Sequence, residues 1–230
     1  MLMRDSIYTI PLNEVFEPKD GCPICRLRNI LEERCLTYIM GAAMMEPDVR
    51  IQTNQAGFCL AHFQRMLQAK NRLSLALMLE SRLAYVAQHE MDQAGQKSGW
   101  RKKAPAPAGK PSCFVCQEVD RVLNRMIDTL LHMWQTDENF RALYGQQPVI
   151  CLEHCQQLVA AANGKLGKKA APFVTQTRQI TQTYLTQLQE DVTHFCRMYD
   201  YRNQGKDWGN SRDSIERAIW FLTSREPEIE

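Results

Sequence analysis

The chain has 230 residues, a hydrophobic fraction of 44% and a formal net charge of +2. This length allows one large domain or two domains of roughly 100 residues each. Dedicated nucleic-acid-binding domains usually carry a large basic excess, so the near-neutral charge argues against that class. The segment Met1 to Pro11 has no charged region followed by an apolar stretch, as a secretory signal would. No stretch approaches the roughly 18 apolar residues of a membrane span. We therefore expect a cytoplasmic protein.

The first 92 residues predict a helical unit. Only the short stretch from Ile7 to Leu12 alternates as a strand would. Apolar residues then recur at intervals of three and four, which is the period of an α-helix. The predicted helices run from Ile24 to Ile39, from about Phe58 to Gln68 and from Leu73 to about Glu90. Pro47 and Asp48 are expected to end the first of them.

A linker follows this unit. Residues 93–112 contain three glycines, three prolines and five basic residues, with no acidic residue and no apolar period. This composition is typical of a solvated tether. Its basic charge leaves a contact with an anionic partner open.

The remaining residues, 113–230, predict a second helical unit. Its helices are expected around the apolar face Val119–Leu131 and then at Leu152–Ala162, Phe173–Tyr199 and Asp213–Thr223. Asp213 is expected to cap the C-terminal helix, and Glu216 to close a capping box with it.

Each unit carries a Cys-x-x-Cys pair followed by a Cys-x-x-His pair. The first pairs of the two units lie 91 residues apart and the second pairs 92 apart, which indicates a duplicated segment with one inserted residue. The candidate ligands are Cys22, Cys25, Cys59 and His62 in the first unit and Cys113, Cys116, Cys151 and His154 in the second.

Nine cysteines in a cytoplasmic chain favour metal binding, because reducing conditions disfavour disulfides. Two cysteines separated by two residues can direct both sulfur atoms at one ion. A cysteine and a histidine three apart on the first turn of a helix share a face. Two such pairs supply the four ligands of a tetrahedral structural zinc site. We expect each unit to bind one zinc ion through its own four ligands.

The predicted fold is therefore all-α. Two pseudo-repeated, metal-stabilised helical units, residues 1–92 and 113–230, are joined by the Pro/Gly/Lys linker at 93–112, and a helix ends the chain. An iron–sulfur cluster on the same eight ligands is the main alternative. A thiol–disulfide redox pair is less favoured, because such a pair normally lies in a βαβ context.

Several other reactive side chains are interpreted as structural. Cys35 lies on an apolar helix face, and Cys196 belongs to a long packed helix. Cys155 follows His154 directly, which leaves an alternative ligand role open. The acid–base group Glu46, Asp48 and Arg50, part of which recurs as Asp137 and Arg141, could serve catalysis. We favour a structural role, in which Glu46 and Arg50 support the turn before the metal-binding helix.

Five stretches of the chain are distinctive in combination, namely YTIPLNEVFE, CPIC, MMEPDVR, GFCLAHF and DSIERAIWFLTS. Together they resemble an uncharacterised family of bacterial proteins of about this length. The resemblance covers nearly the whole chain, and MMEPDVR with GFCLAHF is its most specific part. It implies that the chain is one natural unit and brings no established activity, substrate or partner.

The sequence favours a non-enzymatic, zinc-binding helical protein that acts by binding a partner, expected to be another protein. No nucleophile–base pair, phosphate-binding loop or open metal position argues for catalysis. The first alternative is an iron–sulfur or redox protein. The second is nucleic-acid binding through the basic linker and the turn that contains Lys165, Lys168 and Lys169.

Overall fold

The structure is a computed structural model that describes residues 9–91, 113–203 and 205–227. These residues form ten α-helices and no strand, which confirms the predicted all-α class. The predicted linker at 93–112 lies outside the described residues. The helices are α1 Thr9–Phe16, α2 Pro23–Met40, α3 Pro47–Ala56, α4 Leu60–Gln68, α5 Arg72–Tyr85, α6 Phe114–Thr136, α7 Glu138–Gly145, α8 Leu152–Leu166, α9 Ala171–Met198 and α10 Ser214–Thr223.

The chain divides into two compact units. Unit 1 contains the described residues up to Arg28 and those from Asn124 onward, and unit 2 contains the described residues between Asn29 and Leu123. Both boundaries fall inside long helices, one in α2 and the other in α6. The compact units therefore do not coincide with the sequence halves 1–92 and 113–230, which remain a prediction about the repeat.

Unit 1 is built around buried aromatic side chains. The strand-like stretch is helical from Thr9 onward, because Leu12, Val15 and Phe16 recur at helical spacing and all three are buried. The Phe16 ring lies 5.2 Å from the ring of Phe140 and 5.7 Å from that of Tyr144, measured between centroids. Helix α1 is thereby packed against α7.

The same aromatic cluster continues into α9. The Tyr144 ring contacts Phe173 at 5.2 Å, and its hydroxyl lies 2.6 Å from Thr177 Oγ1. Burial raises the pKa of Tyr144, so this hydroxyl is neutral. The hydrogen bond satisfies a polar group that would otherwise be costly to bury.

Helix α10 is held to α9 by an arginine. Arg217 donates to Asp191 at 3.0 Å and to Asp213 at 2.9 Å. The predicted capping box is wrong, since the Asp213 side chain makes no capping hydrogen bond. Its carboxylate accepts from the Arg217 guanidinium instead of from the backbone, and charge-assisted bonds of this kind are stronger than neutral ones.

Besides α1, two further helices, α3 and α7, were not predicted. Pro47 does not end α2, which ends at Met40; it begins α3, where its missing N–H costs nothing. Asp137 caps α7, because its Oδ1 accepts from the backbone N–H groups of Asn139 and Phe140.

Unit 2 packs around the C-terminal turns of α2. Its core includes side chains from α2, α4, α5 and the first turns of α6, among them Ile39, Met66, Met78 and Val115. The backbone N–H of Phe114 donates to the carbonyl of Gly57 at 2.9 Å. Gly57 has a positive φ of 65°, which glycine adopts without strain. This bond ties the start of α6 to the segment before α4.

Among the described residues, no helix combines the length and apolar character needed to cross a membrane.

Two substitutions in α1 distinguish a helix from a strand. Leu12 is fully buried, whereas Ile10 is 54% exposed. Leu12→Ala should lower the free energy of unfolding by about 2–5 kcal/mol, and Ile10→Ala should change it by less than about 0.5 kcal/mol. Urea unfolding followed by circular dichroism measures both. Equal losses would mean that the two residues share one face, as they would in a strand.

Candidate metal centre

The structure brings the eight candidate ligands together in two groups of four. The first cluster consists of Cys22, Cys25, Cys151 and His154, and the second of Cys59, His62, Cys113 and Cys116. Within each cluster, one ligand atom from every residue lies within 4.8 Å of all the others. Each cluster could hold a metal ion, and each belongs to a single compact unit.

The expected pairing within each sequence half is wrong. Every cluster joins the Cys-x-x-Cys pair of one half to the Cys-x-x-His pair of the other. The two ligand pairs of the first sequence half fall in different compact units, Cys22 and Cys25 in unit 1 and Cys59 and His62 in unit 2. The spacing could not reveal this exchange, because both pairings fit the same repeat.

The first cluster is closed off from solvent. Cys22 lies directly before α2 and Cys25 in its first turn, while Cys151 is the N-cap of α8 and His154 lies in the first turn. All four residues are buried. His154 Nδ1 lies 3.0 Å from Cys151 Sγ, 3.3 Å from Cys25 Sγ and 3.8 Å from Cys22 Sγ. The imidazole thus faces all three sulfur atoms.

Contact between the thiols shifts the pKa values of Cys151 and Cys25 in opposite directions. Hydrogen bonds from Cys22 and Cys25 lower the pKa of the Cys151 thiol. Hydrogen bonds to Cys151 and Cys22, together with burial, raise the pKa of Cys25. Burial opposes a charge on His154, but bonds to Cys151 and Cys22 outweigh it and raise its pKa to about 9. These contacts therefore favour the thiolate form of Cys151 over that of Cys25, and a bound cation would stabilise both thiolates.

The second cluster has the same composition and is more open. Cys59 is the N-cap of α4, His62 lies in its first turn, and Cys113 and Cys116 flank the start of α6. His62 Nδ1 lies 3.0 Å from Cys59 Sγ, 3.2 Å from Cys113 Sγ and 3.6 Å from Cys116 Sγ. Cys59 and Cys116 are half-buried, unlike any ligand of the first cluster.

The pKa values of two thiols in the second cluster are also shifted in opposite directions. Burial alone would raise the pKa of Cys113, but hydrogen bonds from His62 and from the backbone of Cys116 and Cys59 lower it to about 6. Burial and the neighbouring Cys113 raise the pKa of Cys116 to about 12. Burial disfavours a charge on His62, yet bonds to Cys113 and Glu32 raise its pKa to about 10.

Sequence reasoning missed three residues that contact ligands or support them. Glu32 Oε1 lies 2.6 Å from His62 Nε2, and Glu32 Oε2 lies 2.8 Å from Arg65. The Ser224 hydroxyl lies 2.9 Å from Cys151 Sγ in the first cluster. None of these residues belongs to a spacing motif, so only the three-dimensional fold identifies them.

The remaining candidates lie outside the clusters. Cys155 is buried beside His154, and Cys35 packs against the unit 2 core. Cys196 is exposed on α9, so the expectation that it serves helix packing is wrong. Arg141, which lies 91 positions after Arg50, donates to the carbonyls of Trp134 and Gln135 in the last turn of α6.

Comparison with known proteins identifies a family whose function is unknown. No curated protein and no solved structure matches the chain. One family model matches residues 3–229, and its description is "Family of unknown function (DUF6062)". Because this match covers nearly the whole sequence, the chain belongs to that family.

Proposed function

We propose that this protein binds two zinc ions, one in each Cys3His cluster, and that the ions stabilise its helical fold. The observation that carries the proposal is the convergence of four ligand atoms within 4.8 Å in each cluster. Three cysteines and one histidine are a standard ligand set for structural zinc. The ligands are Cys22, Cys25, Cys151 and His154 for one ion and Cys59, His62, Cys113 and Cys116 for the other.

The spacing of the ligand atoms supports a single ion over an iron–sulfur cluster. Atoms bound to one zinc ion at about 2.0–2.3 Å must lie within roughly 4 Å of one another. The Cys25 and Cys151 sulfur atoms are 3.6 Å apart, and the shortest sulfur–nitrogen distance in each cluster is 3.0 Å. Cysteines that bind different iron atoms of a cluster need wider separations.

A structural role follows from the number of ligands. Four protein ligands complete a tetrahedral zinc site and leave no position for water or substrate. We therefore propose a non-enzymatic protein that acts by binding a protein partner. Zinc binding requires reduced cysteines, which supports the cytoplasm as its compartment.

Nucleic-acid binding has less support. The basic linker lies outside the described residues, and Lys165 of the other basic segment forms an ion pair with Asp128 at 2.5 Å. That ion pair neutralises part of the charge that a phosphate backbone would need.

Elemental analysis of protein purified without oxygen tests the identity of the metal. We expect two zinc ions per chain, no iron and no broad absorbance near 400 nm. Complete chelation should reduce helicity, because binding energy at structural zinc sites is coupled to folding. Iron at stoichiometric amounts, or metal-free protein with full stability, would refute the proposal.

A matched pair of fourfold variants tests the pairing of the ligands. C22S/C25S/C151S/H154A removes one observed cluster and should keep one zinc ion per chain. C22S/C25S/C59S/H62A removes all ligands of the first sequence half, breaks both clusters and should lose both ions. Pairing within halves predicts the opposite result for each variant. Zinc content measured beside circular dichroism distinguishes the two pairings.

Zinc affinity should rise with pH. At neutral pH, His62 and Cys116 are protonated in the absence of metal, since their pKa values are about 10 and about 12. Zinc must displace at least these two protons, so the affinity of the second cluster should increase by at least a factor of about a hundred per pH unit. Titration calorimetry in buffers with different ionisation enthalpies counts the protons released. An affinity independent of pH would exclude binding through these groups.

A further inference from the structure

The second cluster contains a hydrogen-bonded chain that extends beyond its four ligands. Nδ1 of His62 faces the three sulfur atoms, and Nε2 lies 2.6 Å from Glu32 Oε1. The other oxygen of that carboxylate accepts from Arg65 Nη1 at 2.8 Å. The Glu32 side chain is only 19% exposed, so this bond is largely shielded from water.

The hydrogen bonds from His62 to Glu32 and from Arg65 to Glu32 determine which nitrogen of His62 is free to bind a metal. A carboxylate can only accept a hydrogen bond, so Nε2 must carry the proton that it donates to Glu32. The neutral imidazole then presents the lone pair of Nδ1 to the sulfur atoms. Arg65 holds the second carboxylate oxygen, which restricts rotation of the Glu32 side chain, and its positive charge compensates the buried negative one.

In the first cluster, no carboxylate among the described residues is hydrogen-bonded to Nε2 of the ligand histidine. Nε2 of His154 is buried and has no hydrogen-bond partner among the described residues. The residue 91 positions after Glu32 is Leu123, which is buried and cannot accept a hydrogen bond. The two clusters therefore share their ligands and differ in what orients the histidine.

We propose that Glu32 is a positioning residue for metal binding at the second cluster, where it fixes the tautomer and the orientation of His62. This inference rests on the proposed function, because it requires that the second cluster binds zinc. Loss of a carboxylate partner of a ligating histidine typically weakens metal binding by about 10–100-fold. The loss should affect one of the two zinc ions and leave the other unchanged.

The test is zinc competition with a chromophoric chelator in the full-length protein. In Glu32→Gln the amide oxygen can still accept from Nε2, but without charge. In Glu32→Leu the site acquires the residue found at the equivalent position of the first cluster. Both variants should lower the affinity for one of the two zinc ions. The loss should be about 10–100-fold in Glu32→Leu and smaller in Glu32→Gln. Arg65→Gln should lower the affinity for the same zinc ion by a smaller factor, because Glu32 would remain in place but its side chain would be less restrained.

A matched control is Glu153→Gln. Glu153 precedes His154 in the first cluster, forms an ion pair with Arg28 at 3.5 Å and is 51% exposed. This variant removes a carboxylate next to His154 in the sequence but removes no hydrogen-bond partner of the His154 ring. Both zinc affinities should therefore stay at the wild-type value.

Long-range proton–nitrogen NMR of the zinc-loaded protein gives a readout that a purely structural role of Glu32 would not change. In the wild type, His62 should show a protonated Nε2 whose proton exchanges slowly, and in Glu32→Leu that proton should exchange rapidly. Unchanged zinc affinities and unchanged exchange in Glu32→Leu would overturn the inference. Wild-type protein that binds no zinc at the second cluster would instead overturn the proposed function.

Discussion

In each cluster, three thiols and one imidazole lie in direct contact, and this contact is the constraint on which the rest of the structure depends. Without a cation, only part of the group can be charged, which is why the pKa of Cys151 falls while that of Cys25 rises. A divalent ion would stabilise three thiolates at once and bind the neutral imidazole. Structural zinc contributes roughly 10–16 kcal/mol in small peptides, which is comparable to the whole stability of an average domain.

Each cluster combines a Cys-x-x-Cys pair from one sequence half with a Cys-x-x-His pair from the other. The contact between the ligands therefore joins residues that are far apart in the sequence. Cys25 and Cys151 are 126 positions apart in the chain, and neither sequence half contains a complete cluster. Closing a loop of this length costs conformational entropy that grows slowly with length. A strongly bound ion can offset that cost at a single point. Both halves must therefore be present for either cluster to form, although the spacing motif alone indicates a complete ligand set within each half.

The sequence predicted what depends on local pattern. Apolar periodicity located α2, α4, α5, α6, α8, α9 and α10, and the repeat identified the eight residues that the fold brings together. The failures have physical causes. Pro47 was interpreted as a helix end because proline disrupts helix interiors, yet it equally suits a first turn. Asp213 has the right position for a cap, but Arg217 competes for its carboxylate. The pairing of the ligands, and the roles of Glu32 and Ser224, depend on contacts between distant segments that no local pattern encodes.

The two clusters also show how one ligand set can be supported in different ways. In the second cluster the N–H of Phe114 donates to Gly57, but the position 91 residues earlier is Pro23, which has no N–H to donate. The first cluster instead has complete burial of its four ligands and a contact from Ser224 at the end of α10. Hydrogen bonds to a carboxylate and between backbone groups thus support the more open cluster, whereas burial and one hydroxyl contact support the enclosed one. The repeat keeps the positions of the ligand side chains, while the groups that hold them differ between the copies.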